Sequence, residues 1–356
     1  MSGGVDSSVA AYLMKAAGFD CAGVTMKLWD GAGQPAELPE NARACCTLDD
    51  ASDARSVAMR LEMPFYVFNF TEEFRRDVIG PFVDAYTRGQ TPNPCIDCNR
   101  FLKFGRLLER AAQLGYDFVV TGHYARIDRE ETTGLYRLRK AVDAAKDQTY
   151  VLWSLTQAQL AHVRFPLGEM TKAEARAVAA RQGFLNAQKP DSQDICFVPD
   201  GDHAGFIERT LGRPWPAGTY VDEAGNVLGT HRGVIRYTVG QHRGLGIALG
   251  RPAYVKSLDA ANNRIVLSDN DALFARALTA RDFNWIAGQP PQAPVRCAGK
   301  IRYRHREAAC TAETLPDGRV RVTFDEPVRA VTPGQSVVLY DGDVVLGGGI
   351  ICGEDA

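Results

Sequence analysis

The chain has 356 residues, of which 45% are hydrophobic and 24% are charged, and its formal net charge is −2. This composition is typical of a soluble globular protein, and no apolar run approaches the roughly 18 residues that a membrane helix requires. The first 20 residues lack the basic start and apolar centre of a secretion signal. We therefore expect a cytoplasmic protein without a membrane role. The charge balance excludes a strongly basic nucleic-acid coat but permits a local basic patch.

The first 205 residues alternate between short β-rich runs and helical patterns, which indicates a parallel sheet covered by helices. The expected strands are Cys21–Met26, Phe65–Phe70 and Phe118–Gly122. The expected helices include Ser7–Ala17 and Ala51–Leu61, whose apolar residues recur at helical spacing. Because the chain is long for one domain, we predict an α/β domain over residues 1–205 with further domains after it.

Glycine and proline become frequent after about residue 205, with short β-branched runs between them. This pattern of residues predicts a small β-rich central domain over residues 206–278. Later runs are joined by tight turns at 316–318 and 341–343, which is typical of a small barrel. The expected strands there are Ala298–Tyr303, Arg319–Phe324, Ser336–Tyr340 and Val344–Ile351. A C-terminal β-barrel domain is therefore predicted over residues 279–356.

A glycine-rich loop, Ser2-Gly3-Gly4-Val5-Asp6-Ser7-Ser8, runs directly into the first predicted helix. Glycines permit close backbone approach, and the amides and dipole of a helix N-terminus attract phosphate. The loop lacks the Gly-Lys-Ser/Thr with which kinase-type loops hold the β and γ phosphates. Cleavage of ATP between the α and β phosphates is therefore predicted. Asp6 is a candidate magnesium partner, unless its charge only complements the helix dipole.

The pattern Ser-Gly-Gly-Val-Asp-Ser resembles the PP-loop of the ATP pyrophosphatase superfamily, whose parallel-sheet domain is adenine nucleotide alpha-hydrolase-like. Members of that superfamily adenylate a carboxyl, amide or carbonyl oxygen and release pyrophosphate. A plain capped helix is the alternative interpretation. In that superfamily the loop follows a central strand, whereas here it follows Met1 directly. We therefore expect the first strand to be truncated and the natural start to lie several residues upstream.

The nine cysteines form an odd, scattered set, and without an export signal they are expected to be reduced. Cys95 and Cys98 lie three residues apart, between a proline-stiffened turn and a helical pattern that begins near Phe101. A helix N-terminus stabilises thiolates. Cys196 lies in a loop-like segment and, taken alone, would be a small buried hydrophobe. The single cysteines of strand-like runs are expected to be buried and inert; they are Cys21, Cys297, Cys310 and Cys352.

Several further segments occur in a characteristic order: Met1–Ser8, Gly23–Asp30, Cys45-Cys46, Thr91–Asn99, Thr121–Tyr124, Lys146–Tyr150, Asp191–Phe197 and Tyr237–Gly246. Together they resemble the tRNA 2-thiouridylase family, called MnmA in bacteria, over nearly the whole chain. The resemblance implies that ATP, with Mg²⁺, adenylates the 2-carbonyl of the wobble uridine in tRNA. Sulfur transfer from a cysteine persulfide then gives 2-thiouridine, AMP and pyrophosphate. No role for Cys45 and Cys46 follows from the sequence.

The resemblance also implies roles for individual residues. Cys196 would accept the persulfide sulfur, and Cys98 would close a disulfide with it as the sulfur leaves. The residues implied around ATP are Met1, Ser2, Gly3, Gly4, Val5, Asp6, Ser7, Ser8, Met26 and Gly122, although Met26 fits strand-end core equally well. The residues implied at tRNA are Asn93, Pro94 and Cys95 near the target base, with His123, Lys146, Asp147, Gln148, Arg302, Tyr303 and Gln335. The segment 302–306 independently fits RNA binding, since arginines bind phosphates and an aromatic ring stacks on bases; a solvated strand face is the alternative.

Several alternatives stay open. Many family members have aspartate, a suggested acid/base group, where this chain has Cys95. Three thiols, at Cys95, Cys98 and Cys196, would also suit three corners of a 4Fe-4S cluster with one iron open to sulfide. A different PP-loop synthetase or amidotransferase would need no cysteine pair, and a noncatalytic RNA-binding or thiol-redox module would need no ATP.

The implied partners are tRNAs for lysine, glutamate and glutamine, and a source of sulfur. That source is a cysteine desulfurase, a sulfur-relay protein or free sulfide. The oligomeric state is not readable from the sequence, and a monomer is the default expectation.

Overall fold

The computed structural model describes residues 1–29, 31, 48–190 and 195–353, so Asp30, Cys45, Cys46 and residues 191–194 lie outside the described residues. An α/β part, a four-stranded sheet and a closed six-stranded barrel follow one another along the chain. The predicted fold class is thereby confirmed. No helix within the described ranges is both long enough and apolar enough to cross a membrane.

The α/β part contains eight described helices and six strands. The helices are α1 (Val5–Ala16), α2 (Leu48–Arg60), α3 (Thr71–Phe74), α4 (Gly80–Thr87), α5 (Pro94–Asp97), α6 (Leu107–Gln113), α7 (Gln157–Ala161) and α8 (Lys172–Arg181). The strands are β1 (Gly23–Lys27), β2 (Phe65–Asn69), β3 (Val119–Val120), β4 (Ala125–Arg129), β5 (Tyr136–Lys140) and β6 (Val163–Arg164). Two π-helical stretches, Arg75–Ile79 and Cys98–Arg106, join α3 to α4 and α5 to α6.

The parallel strands form two pairs. β1 pairs with β2, with Gly23 opposite Phe65, and β3 pairs with β6, with Val119 opposite Val163. The predicted strand Phe118–Gly122 is longer than the observed β3, because only two of its residues pair. Met1 lies beside β1, where its carbonyl oxygen accepts a hydrogen bond of 2.8 Å from Thr25 Oγ1. The upstream strand stays a prediction.

The central part begins with α9 (His203–Leu211), whose cap Asp202 accepts a hydrogen bond of 2.9 Å from the Gly205 amide. The strands β7 (Gly218–Val221), β8 (Val227–His231), β9 (Tyr254–Asp259) and β10 (Arg264–Ser268) follow in the spatial order β8-β7-β10-β9. The predicted boundary at 205/206 cuts through α9. The boundary therefore lies before His203, because a capped, hydrogen-bonded helix forms as one unit.

One apolar cluster joins the α/β and central parts. It contains Phe74 and Phe82 of the first part, Phe206 of α9, and Tyr220 and Val255 of the central sheet. Burial of such large side chains contributes roughly 1.5–3 kcal/mol each. The central sheet is therefore packed against the helices that precede the cysteine pair.

The barrel consists of β11 (Phe274–Trp285), β12 (Val295–Lys300), β13 (Ala308–Thr314), β14 (Val320–Arg329), β15 (Ser336–Asp341) and β16 (Val344–Ile351). Pairing of β11 with β16 closes the antiparallel ring. Because β11 begins at Phe274, the barrel starts before the predicted boundary at 279. The predicted strand Ala298–Tyr303 is displaced, since β12 ends at Lys300 and the next residues form a turn.

Two cysteines meet inside the barrel. Cys297 of β12 is opposite Cys310 of β13, and their Sγ atoms are 3.6 Å apart. The prediction that Cys297 is buried was wrong, because it is only half-buried, and the sequence analysis did not foresee that the strand register places it beside Cys310. Cys310 is fully buried, as expected. The hydrogen bond between the thiols lowers the pKa of Cys297 and raises that of Cys310.

The β4–β5 hairpin attaches the α/β part to the barrel. Arg139 of β5 is opposite Val344 of β16, and its guanidinium lies 2.8 Å from the Asp343 carboxylate. Asp128 accepts hydrogen bonds from Arg137 and Arg139, which lower its pKa to about 2. These partly buried ion pairs form a network, which holds better than isolated surface pairs.

Arg302 joins the barrel to the central part. Its Nη2 donates hydrogen bonds of 2.9 Å to the carbonyl oxygens of Val239 and Ala330, and it also contacts Thr332 Oγ1. Burial lowers the pKa of the guanidinium. The described contacts of Arg302 are thus internal, and its contact with tRNA stays a prediction.

Replacing Arg302 by methionine should destabilise the protein, because the carbonyl acceptors lose a charged donor. Hydrogen bonds to charged groups contribute about 1.5–3 kcal/mol, and we expect a loss of that size in the free energy of unfolding. Urea unfolding followed by tryptophan fluorescence measures it. Arg304→Met, in the same turn but exposed, is the control. Equal stability of both variants would contradict the internal role of Arg302.

Candidate functional site

A cavity of about 1650 Å³ lies where the predicted motifs meet. Its walls come from the glycine loop, the helix that carries the cysteine pair, the segment after β3, the segment 146–148, the segment around Cys196 and the turn after β12. It also extends between the two parallel strand pairs, since Val24 of β1 and Val119 of β3 line it. Residues far apart in the chain therefore share one solvent-accessible space.

The glycine loop is shaped by a left-handed residue and by serine hydroxyls. Gly3 has φ +68°, and a Cβ there would lie 2.7 Å from the Asp50 Cα, so only glycine fits. The hydroxyls of Ser7 and Ser8 both donate to the Gly4 carbonyl oxygen at 3.0 Å. The first amides of α1 lack intrahelical acceptors and can bind an anion.

Asn186 supports this loop from outside the motif. Its buried Nδ2 donates to the Gly3 carbonyl oxygen at 3.0 Å and to Ser8 Oγ at 2.9 Å. The sequence analysis missed Asn186. Nothing in the residues around it indicates a partner so far away in the chain.

Asp6 is held by two residues that sequence reasoning did not assign to ATP. Lys172 Nζ lies 2.8 Å from both carboxylate oxygens, and the Tyr124 hydroxyl donates to Asp6 Oδ1 at 2.9 Å. Lys172 is the first residue of α8, where Thr171 and Glu174 form a capping box. That box indicates a helix start in the sequence, but not its proximity to Asp6. The magnesium role of Asp6 stays a prediction.

Gly122 and Met26 lie at the same cavity. A Cβ on Gly122 would lie 2.6 Å from the Asp6 carbonyl carbon and 2.8 Å from the Ser7 amide nitrogen. The segment after β3 can therefore pack on the start of α1 only with glycine there. Met26 lines the cavity and also packs against the large apolar cluster, so both interpretations of Met26 fit its position.

The helix with the cysteine pair begins at Pro94, not near Phe101 as predicted. Asn93 caps it, and its Oδ1 accepts a hydrogen bond of 3.1 Å from the Cys95 amide. The prediction was wrong because proline is compatible with the first helical position. Cys95 and Cys98 therefore lie within the first turns, where the helix dipole favours anionic groups.

Cys98 and Cys196 line the same cavity and pack in the same apolar cluster. Cys98 is 8% exposed, Cys196 is half-buried and Cys95 is exposed. A π-helical stretch starts at Cys98, and such stretches are frequent at functional sites. Burial raises the pKa of the adjacent Asp97 to about 6, although nearby Arg100 opposes the shift. Asp97 is a further group that the sequence analysis did not single out.

The iron–sulfur alternative requires three thiols around one centre. Within residues 1–29, 31, 48–190 and 195–353, no three His, Cys, Asp or Glu side chains gather into a possible metal site. The described residues thus give no support for a cluster held by Cys95, Cys98 and Cys196, which stays an alternative prediction.

The segment 146–148 and the turn after β12 meet at one rim of the cavity. The Tyr303 hydroxyl donates to the Asp147 carbonyl oxygen at 3.3 Å, and Tyr303 is 39% exposed. Lys300 Nζ lies 5.7 Å from the centre of the Tyr303 ring and 5.9 Å from that of Tyr150. Gln148 Oε1 accepts a hydrogen bond of 2.9 Å from the Tyr124 amide. An aromatic face and a cation are thus presented at the rim.

The other residues nominated for tRNA are distributed unevenly. His123 is buried at the cavity wall, its Nδ1 lies 2.7 Å from Thr121 Oγ1, and burial lowers its pKa. Pro94, Cys95, Lys146 and Asp147 line the cavity, whereas its described lining does not include Asn93, Arg302 or Gln335. Gln335 Nε2 instead donates to the Thr91 carbonyl oxygen at 2.7 Å.

Family models cover the three parts of the chain. The tRNA methyl transferase HUP domain matches residues 1–200, which is more than half of the chain. The tRNA methyl transferase PRC-barrel domain matches residues 204–269, and the aminomethyltransferase beta-barrel domain matches residues 275–351. These ranges agree with the three parts that the structure contains.

Full-length relatives carry one name. A tRNA-specific 2-thiouridylase MnmA of Acetivibrio thermocellus is 50% identical over 99% of this chain and 97% of the relative. The proteins of that name from Geotalea uraniireducens and Clostridioides difficile are 52% and 48% identical over 99% of this chain, covering 93% and 96% of the relatives. With this identity over its full length and the matching domains, the chain belongs to the tRNA-specific 2-thiouridylase MnmA family.

Proposed function

We propose that this protein is a tRNA 2-thiouridylase, a transferase that converts a tRNA uridine to 2-thiouridine at the expense of ATP. One observation carries the proposal: the glycine loop at the start of α1 and the side chains of Cys98 and Cys196 line one cavity. A PP-loop amidotransferase would need the loop but not the two thiols. Full-length relatives named for thiolation favour sulfur transfer.

ATP binds with its phosphates at the amides of the glycine loop. Lys172, beside Asp6, adds a positive charge at the same end of the cavity. The Asp6 carboxylate lines the cavity, and oxygen is the ligand that Mg²⁺ prefers, so Asp6 would hold a magnesium ion on the pyrophosphate. Such an ion would offset the charge of the leaving pyrophosphate.

The uridine oxygen needs activation because a uracil carbonyl is a poor electrophile. Attack of this oxygen on the α phosphorus of ATP forms an O–P bond and breaks the bond to pyrophosphate. The terminal sulfur of a persulfide on Cys196 then attacks the ring carbon, and AMP leaves. The Cys98 thiolate next attacks Sγ of Cys196, which releases 2-thiouridine and leaves a Cys98–Cys196 disulfide. The two cysteines supply the electrons, so an external thiol must reduce them again.

The tRNA docks at the rim formed by the segment 146–148 and the turn after β12. Tyr303 offers a stacking face, and Lys146, Lys300 and Arg304 offer positive charge around the cavity. The target base must leave its stack to reach the thiols. We propose the wobble uridine of the tRNAs for lysine, glutamate and glutamine as the substrate.

The sulfur arrives from a cysteine desulfurase, directly or through a relay protein, because the proposed reaction starts from a persulfide. We propose the cytoplasm as the location, where tRNA and ATP are present, and a monomer as the active form.

One prediction of this function concerns the two thiols. With unmodified tRNA, ATP, Mg²⁺, cysteine and a cysteine desulfurase, Cys98→Ser and Cys196→Ser should each lower 2-thiouridine formation by at least about a hundredfold. Pyrophosphate release should persist, because adenylation precedes sulfur transfer. Mass spectrometry of tRNA nucleosides, under anaerobic conditions and with iron assayed, measures the product.

Cys352→Ser, in the segment after β16, is the control. Thiolation that survives both changes would exclude this mechanism, and thiolation that requires bound iron would support the cluster alternative.

A second prediction concerns Lys172. Lys172→Met should lower tRNA-dependent pyrophosphate release about 10- to 100-fold, the size expected for a hydrogen bond to a charged group. Because the change leaves Asp6 without its partner cation, the double variant Lys172→Met with Asp6→Asn should recover thermal stability but not activity. Lys15→Met, at the other end of α1, is the control. Normal pyrophosphate release by the folded Lys172→Met variant would show that Lys172 only stabilises the loop.

A further inference from the structure

Lys103 is a cavity-lining residue for which the proposed reaction has so far given no role. It lies in the π-helical stretch, five residues after Cys98, and both side chains line the cavity. Five residues span about 1.4 turns of an α-helix. In a π-helix the hydrogen bonds join residues i and i+5, which brings such a pair to one side. The helix geometry thus directs Lys103 and Cys98 to the same space.

The ammonium group of Lys103 has different surroundings from those of two other lysines that line the cavity. Lys172 forms an ion pair with Asp6, and Lys189 Nζ lies 2.7 Å from Asp50 Oδ1. Within the described part of the chain, Lys103 has neither a carboxylate within ion-pair distance nor a hydrogen-bond acceptor, and its side chain is half-buried. A partly desolvated cation is costly unless an anion accompanies it. The position of Lys103 therefore suits an anion of the substrate.

The neighbours of Lys103 indicate at which end of the cavity its side chain lies. The ring of Phe104, the next residue, lies 5.8 Å from that of His123. The His123 pKa is lowered first by burial and then by the charge of Lys103, so His123 is neutral and leaves Lys103 as the local cation. Lys103 thus lies beside a residue nominated for tRNA and on the helix of the cysteine pair.

The phosphates of ATP already have the loop amides and Lys172. A uridine whose ring reaches Cys98 must leave the stacked anticodon loop, and its flanking phosphates move toward the cavity with it. We propose that Lys103 binds a backbone phosphate next to the target uridine. This inference rests on the proposed function, because it requires tRNA in the cavity.

The test measures binding of an unmodified tRNA substrate transcript without ATP, by filter binding between 50 and 300 mM salt. Each phosphate contact contributes about 0.7–0.9 to the slope of log affinity against log salt. Lys103→Met and Lys103→Gln should each lower that slope by this amount and weaken binding about five- to tenfold at 0.1 M salt. Lys103→Arg should keep the wild-type slope. Lys15→Met controls for general loss of charge, and circular dichroism checks that each variant is folded.

The outcomes separate this inference from the function on which it rests. If both charge-free variants bind with the wild-type slope and affinity, Lys103 does not contact a phosphate. Lower thiolation with unchanged binding would overturn the inference in favour of a role at the adenylate or the thiols. An equal loss in Lys15→Met would also overturn it. Failure of the wild-type protein to distinguish substrate tRNA from an unrelated RNA of equal length would overturn the inference together with the proposed function.

Discussion

The ion pair between Asp6 and Lys172 fixes the geometry of the glycine loop, and the rest of the site depends on that geometry. A partly buried carboxylate at a helix start is stabilised by a nearby cation, and α8 supplies it from the far end of the α/β part. Asn186 adds a second long-range tie to the same loop. Gly122 adds a third, because the absence of a Cβ lets the segment after β3 pack on α1. The amides proposed to bind the nucleotide are therefore oriented by residues that lie outside the motif.

The barrel completes the site and is more than an appended domain. The turn after β12 of the closed barrel contacts the segment 146–148 through the Tyr303 hydroxyl. The β4–β5 hairpin and the contacts of Arg302 hold this turn against the other two parts. The proposed tRNA substrate would thus meet a rim composed of distant segments, above the cavity that Cys98 and Cys196 line.

The lysines that line the cavity differ in the groups that surround them. Lys172 and Lys189 have carboxylate partners, which suits residues that hold the loop and the helix α2 in place. Lys103 has a neutral histidine beside it, which suits the binding of an anion that arrives with the substrate. Cys98 lies on the same π-helical stretch as Lys103, and Cys196 lines the same cavity from another segment. The proposed nucleotide binding, sulfur transfer and RNA binding would therefore share one cavity.

The sequence alone determined the order of the domains, the first two helices, the glycine loop and the family, because each depends on local patterns or on motifs in a fixed order. It also nominated Cys98 and Cys196, but their shared cavity is a tertiary result. Local patterns misplaced the helix start at Pro94 and the strand end at Lys300, and they gave no sign of the pairing of Cys297 with Cys310. Proline tolerance, barrel closure and strand register decide those features. Lys172, Asn186 and Lys103 could not be identified beforehand, because their significance comes from neighbours distant in the chain or from a change of helix type, and only folding of the whole chain creates those contacts.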